Sequence, residues 1–162
     1  MSVPATESEP PPAAPDVITF PPIIFAAFFV IGYVTDLAFP VTPDATALRY
    51  AAGAVLVALS AALVMWAGSR FVRARTPVDV RKPATALVTD GPYRLSRNPM
   101  YLAASLLYAG AAILGSLPWT LLLLAPCLVV IQIGIIRREE RHLEERFGDA
   151  YRDYKSRVRR WL

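Results

Sequence analysis

From Tyr101 to Ile136 no side chain carries a charge, and this run constrains the chain more than any other feature. It is too long for one membrane crossing, which needs about 20 apolar residues for a hydrocarbon core of ~30 Å. Gly115-Ser116-Leu117-Pro118-Trp119 places a turn signal at its middle, so two tightly joined helices are expected. Two further apolar blocks precede it, from Val17 to Phe39 and from Ala47 to Phe71, separated by Pro40 and Pro43. Small residues stud the second block (Ala51, Gly53, Ala54, Ala58, Ala61, Ala62), a composition that lets helix backbones approach closely in lipid. The overall hydrophobic fraction of 55% would by itself permit a very apolar soluble protein. Its concentration in blocks points to the bilayer.

The expected fold is therefore all-α: an integral membrane helical bundle with about four transmembrane helices and a C-terminal amphipathic cytoplasmic helix. That last helix is read from Leu143, Phe147, Tyr151, Tyr154, Val158 and Trp161, which recur at three- and four-residue intervals, with Gly148 as a break. Residues 1–16 are rich in Pro and Ala, with acids and no Lys or Arg, and read as a disordered tail. Residues 17–71 read as a two-span hairpin. Residues 72–162 read as the functional region, with two further spans and the C-terminal helix.

The net charge of +4 does not indicate nucleic acid. Apart from Arg49, every Lys and Arg lies in the 72–100 connector, at its edges, or in the C-terminal segment. With four spans these share one side, which the positive-inside rule makes cytoplasmic, so both termini are expected there. The Ala-, Arg- and Pro-rich composition fits a bacterial inner membrane. Cys127 lies in an apolar run and reads as a buried structural thiol. Nothing in the sequence sets an oligomeric state, and the single histidine, His142, has no second His or Cys to form a metal set. It reads as a surface residue.

The 72–100 connector is unusually long for a helix–helix link, which hints at function. It ends in Leu87-Val88-Thr89-Asp90-Gly91-Pro92-Tyr93-Arg94-Leu95-Ser96-Arg97-Asn98-Pro99-Met100-Tyr101. Gly91-Pro92 forms a bend, Pro99 suits a first helical turn, and Asn98 stands where an N-cap belongs. The last span runs into Arg137-Arg138-Glu139-Glu140-Arg141-His142-Leu143. Taken alone, each cluster reads more readily as topology-setting arginines, interfacial tyrosines and a solvated charged face, its acids paired with nearby arginines.

Together the clusters carry more. Gly-Pro-Tyr-Arg, Arg-Asn-Pro-Met-Tyr, two apolar helices, Glu-Glu-x-x-Leu, Phe-Gly-x-x-Tyr-x-x-Tyr and a terminal Arg-Val-x-Arg-Trp follow one another from Leu87 to Trp161. In order and spacing this resembles the superfamily of isoprenylcysteine carboxyl methyltransferases and phospholipid methyltransferases. The resemblance implies S-adenosylmethionine as cofactor and a lipophilic or membrane-presented acceptor, with the bilayer as partner and no nucleic acid. It also implies a cofactor site made by Leu87 and Val88, extended by Thr85 and Ala86, with Tyr93, Arg97, Asn98, Pro99, Tyr101, Glu139 and Glu140. Arg97, Asn98 and Glu139 stand at the positions expected to act most directly. Glu139 can neutralise the donor's ammonium, and Arg97 can hold its carboxylate through two parallel hydrogen bonds. The tyrosine faces can attract a sulfonium. The sequence departs from the family at Asn98, where histidine is usual, and asparagine cannot act as a base. The family's basic substrate contact is also unmatched, since that position falls at Ile135. Two other classes compete: a nicotinamide-dependent sterol or enone reductase, normally with more spans, and a non-enzymatic membrane scaffold of the same fold.

Overall fold

The computed structural model describes residues 3–4, 20–41, 43, 46–76 and 85–162. Most of the N-terminal tail and residues 77–84 of the connector lie outside the described residues. Val3–Pro4 (β1) forms an antiparallel bridge with Ala86–Leu87 (β2). All other regular structure among the described residues is helical. α1 spans Pro21–Ala38 and α2 spans Ala47–Ala74. A 3₁₀ turn at Gly91–Arg94 precedes α3 (Pro99–Leu114) and α4 (Pro118–Ile131). A π turn, Gln132–Ile136, carries α4 directly into α5 (Arg137–Phe147), and α6 (Asp149–Arg157) follows.

Among the described residues, three helical stretches are long and apolar enough to cross a membrane: Pro21–Ala38, Ala47–Ala74 and the continuous Pro118–Phe147. In the last of these the apolar part ends at the Arg137-Arg138 pair, and we place the residues beyond it outside the hydrocarbon. α3, with 16 residues, is shorter and reaches about 24 Å at 1.5 Å per residue. The expected four spans are thus three of full length and a short fourth. The turn between α3 and α4 falls at Gly115–Leu117 as expected, with Ser116 at positive φ. Gly148, at φ +52°, ends α5 where the sequence placed the break.

α2 and α3 pack antiparallel along a seam of small residues. On α2 the buried positions are Gly53, Ser60 and Ala67, seven apart, which keeps one narrow stripe facing its partner. The Ser60 hydroxyl donates to the Ala103 carbonyl at 2.7 Å. A Cβ on Gly110 would stand 2.9 Å from the Gly53 carbonyl oxygen, so the backbones nearly touch there. Of the small residues singled out in the sequence, only Gly53 lies in this seam. Ala51, Ala54, Ala58, Ala61 and Ala62 face outward.

α1 packs mainly on α4 and makes little contact with α3. One apolar core joins Phe25 of α1 with Tyr101, Tyr108, Cys127, Ile131, Ile135 and Ile136. Cys127 is fully buried there as a free thiol. A second core, at the end of the bundle holding the charged segments, joins Ala67, Leu87, Val88, Tyr93, Tyr151 and Tyr154. The C-terminal amphipathic stripe builds this second core: Leu143, Phe147 and Val158 pack against it, while Trp161 reaches across to the first.

Candidate functional site

Tyr93 is fixed by the bend before it. Gly91 adopts φ +61°, a conformation that favours glycine, and a Cβ there would stand 2.6 Å from Arg70 Nε. Asp90 pairs with Arg70 at 3.2 Å and ties the bend to the end of α2. Tyr93 then meets Phe71 edge-on at 5.5 Å, and its carbonyl accepts from the Tyr154 hydroxyl at 2.7 Å. Burial raises its phenol above the ordinary tyrosine value, and Glu139 adds to the shift.

The Ser96–Asn98 stretch is non-helical and largely buried, so its backbone needs partners from elsewhere in the chain. The C-terminal residues supply them. Arg97 N donates to the Arg159 carbonyl at 2.9 Å, and Ser96 Oγ donates to the Arg160 carbonyl at 3.2 Å. Asn98 occupies the N-cap position of α3, but its side chain does not cap the helix. Its ψ of 52° departs from the extended value a capping residue takes, and its Nδ2 donates to the Arg160 carbonyl at 3.0 Å. The capping expectation is thereby corrected.

The acid pair divides its labour. Glu139 accepts a hydrogen bond from the Tyr101 hydroxyl at 3.0 Å. Burial pushes its carboxyl up to about 7, against the lowering effect of that hydrogen bond, with Glu140 adding to the rise. Glu140 is buried at 6% exposure and does not pair with its helical neighbours Arg137, Arg138 or Arg141. It takes a two-bond fork from Arg160, at 3.0 and 2.7 Å, and an ion pair from Arg97 Nη1 at 3.1 Å. The solvated-face reading of this pair fails, because α5 turns it inward. A π turn inserts one residue, a rotation of about 100° in an α-helix, immediately before the acids.

These groups close one end of a cavity of about 760 Å³, within the roughly 300–1,000 Å³ usual for small-molecule sites. Tyr93, Arg97, Asn98, Pro99, Tyr101 and Glu139 line that end. Beyond them the wall turns apolar, with Phe25 and Phe29 of α1, Val64 of α2, and Ala104, Leu107 and Ala111 of α3. Arg97 contributes unspent donors: its Nε and Nη1 are buried and make no hydrogen bond, the Glu140 contact being an ion pair without hydrogen-bond geometry. A buried donor left unmade costs about 1–3 kcal/mol, which an anionic ligand group would relieve.

Five of the residues named from the sequence, Thr85, Ala86, Leu87, Val88 and Glu140, do not line this cavity. Leu87 and Val88 are buried in the second core. Glu140 stands behind Arg97. His142, expected at the surface, is buried at 8% exposure, and its Nε2 has no hydrogen-bond partner. Burial and Arg146 hold its imidazole below the usual value against the opposing Glu145. Sequence reasoning assigned no role to Arg160, Gln132 or Tyr108 and read Trp161 only as part of the amphipathic stripe; of these, the terminal Arg-Val-x-Arg-Trp motif signalled Arg160 and Trp161.

Residues 48–150, well over half of the chain, match the family described as phospholipid methyltransferase. The chain belongs to that family, and among its described residues are helices long and apolar enough to cross a membrane. The match begins within α2, upstream of the motifs at Leu87–Trp161, consistent with the long α2–α3 seam being part of the shared fold. A 35-residue stretch is 57% identical to an uncharacterized protein of Haemophilus influenzae. That stretch is 22% of this chain and 56% of the relative, so the chain spans little over half of that curated protein's length.

Proposed function

We propose that this protein transfers a methyl group from S-adenosylmethionine to a lipophilic acceptor held within the bilayer. The observation that carries this reading is the two-part cavity: ionisable groups at one end and an apolar passage between α1, α2 and α3 beyond them. The donor set suits the cofactor, with a carboxylate for an ammonium, unspent guanidinium donors for a carboxylate, and aromatic rings for a cation. When bound, the cofactor supplies an electrophilic methyl group on a sulfonium, open to direct displacement.

The protein's share of such a step is alignment and exclusion of water. Glu139, oriented by Tyr101, would neutralise the ammonium, and Arg97 would hold the carboxylate. The rings of Tyr93 and Tyr101 would offer their faces to the positive sulfur. Asn98 braces the site through the Arg160 carbonyl and takes no proton, which suits an isoprenylcysteine-like carboxylate acceptor, whose methylation releases none. The apolar wall takes the acceptor's hydrocarbon. A site built on the Lys- and Arg-rich side of the bundle faces the cytoplasm of a bacterial inner membrane, with both termini there. Reporter fusions at the two ends check this orientation, and an external signal from either one refutes it.

Calorimetry with S-adenosylmethionine on protein in detergent or nanodiscs tests the central reading. Binding is expected, and Glu139→Gln should remove about 3–5 kcal/mol of it, the scale of an unpaired buried charge. Glu144→Gln should cost no more than about 1 kcal/mol, because Glu144 pairs with Lys155 at the partly exposed surface. Equal affinities in both variants, or binding of a nicotinamide dinucleotide instead, would overturn it.

A further inference from the structure

The last residues of the chain, 158–162, form a strap across the site. Their backbone carbonyls hold Arg97, Ser96 and Asn98, as described above. Trp161 anchors the far end: its indole Nε1 donates to Gln132 Oε1 at 2.9 Å, in the π turn, and its ring packs on the core containing Tyr101 and Ile136. Between these anchors Arg160 lays its guanidinium on Glu140, donating from Nε to Oε1 and from Nη2 to Oε2.

This fork engages both oxygens of Glu140, one bond to each. Arg97 is left with a single contact to Glu140, at Oε1, beside the Tyr151 hydroxyl that also engages its guanidinium, and its Nε and Nη1 make no hydrogen bond. A guanidinium beside an open carboxylate favours a two-bond fork. Without Arg160, Glu140 would offer Oε2 as well, and Arg97 would turn to take both oxygens and spend the donors it now keeps free. We propose that Arg160 is a positioning residue: by holding Glu140 in a two-bond fork it keeps the Arg97 guanidinium available for the carboxylate of the methyl donor. The proposal rests on the reading that this site binds S-adenosylmethionine.

The test compares two ligands, S-adenosylmethionine and its decarboxylated analogue, by calorimetry on the full-length protein in nanodiscs. Arg160→Gln should weaken the first by about ten- to hundredfold, the range for one charge-assisted hydrogen bond, and leave the second nearly unchanged. Arg160→Lys keeps the charge but not the fork, so its loss should fall between wild type and Arg160→Gln. It carries the same comparison if Arg160→Gln does not fold. Equal weakening of both ligands would mean a general collapse of the strap and would overturn the positioning role. So would unchanged affinity for S-adenosylmethionine in a variant while wild type binds it. Wild-type protein that binds neither compound removes the underlying reading, and this proposal with it.

Discussion

Asp36 is a carboxylate within a spanning helix, close to the end where the helix dipole opposes a negative charge. The structure explains it by the neighbouring helix. α4 begins Leu117-Pro118-Trp119-Thr120, and Leu117 at its N-cap has no side chain that can accept a hydrogen bond. Asp36 caps α4 from across the α1–α4 interface, accepting from Trp119 N at 3.0 Å, Thr120 N at 2.9 Å and Thr120 Oγ1 at 2.6 Å. Contact is tight here, since a Cβ on Gly32 would lie 2.5 Å from the Thr120 Cα. Asp36→Ala strands two amide donors at the start of a helix. Three bonds at the ~0.6 kcal/mol average for side-chain hydrogen bonds within membranes set a floor near 2 kcal/mol. The cost of an unmade buried donor raises the expectation to about 2–4 kcal/mol. Asp36→Asn keeps one acceptor and turns a donor toward the second amide, so it should fall between Ala and wild type. Unfolding in mixed micelles, followed by the fluorescence of Trp119, measures the loss, and a double-mutant cycle with Thr120→Val isolates the coupling. A loss below about 0.5 kcal/mol for Asp36→Ala, the scatter of surface substitutions, would refute the trans-helix cap.

The raised carboxyl of Glu139 gives two opposite pH trends. S-adenosylmethionine affinity should rise with pH through about 7, as calorimetry across that range would read, because only ionised Glu139 neutralises the ammonium. In the free protein the unfolded state loses this proton first, so the Glu139 contribution to folding stability should fall as pH rises from about 4.5 to 7. Gly110→Val should weaken the α2–α3 seam by about 1–3 kcal/mol in detergent unfolding, since its Cβ would meet the Gly53 carbonyl. Gly68→Ala is the matched control: nothing lies within 4 Å of its Cβ, and a helical Gly→Ala change should stabilise by about 0.5–1 kcal/mol. Ala104→Phe narrows the apolar part of the cavity and should raise the KM of a long-chain acceptor while leaving cofactor affinity unchanged.

Blocks of apolar sequence, the Gly-Ser-Leu-Pro turn and Gly148 made the helices legible, because hydropathy and backbone punctuation are local properties. The α2 packing stripe was not, since small residues on every face of the helix look alike until a partner is placed against one of them. Asp36 shows the same limit: an acid near the end of an apolar run has no visible purpose until α4 is brought beside it. Tyr93, Arg97, Tyr101 and Glu139, singled out by their motifs, line one cavity. Which acid faced the cavity and which faced the arginines depended on the π turn at Gln132–Ile136, which a 3.6-residue period cannot foresee.

Asn98 joins these strands of argument. A histidine at its position would present a ring nitrogen that can exchange a proton, and the usual family pattern invites a base there. In this chain the amide donates to the Arg160 carbonyl, the same residue whose guanidinium occupies Glu140. One side chain thus fastens the strap from which the other reaches the acid paired with Arg97. A group engaged in that way serves geometry. On the proposed reading, the site's task is placement of a reactive methyl against its acceptor, with the C-terminal residues holding Ser96, Arg97 and Asn98 in position.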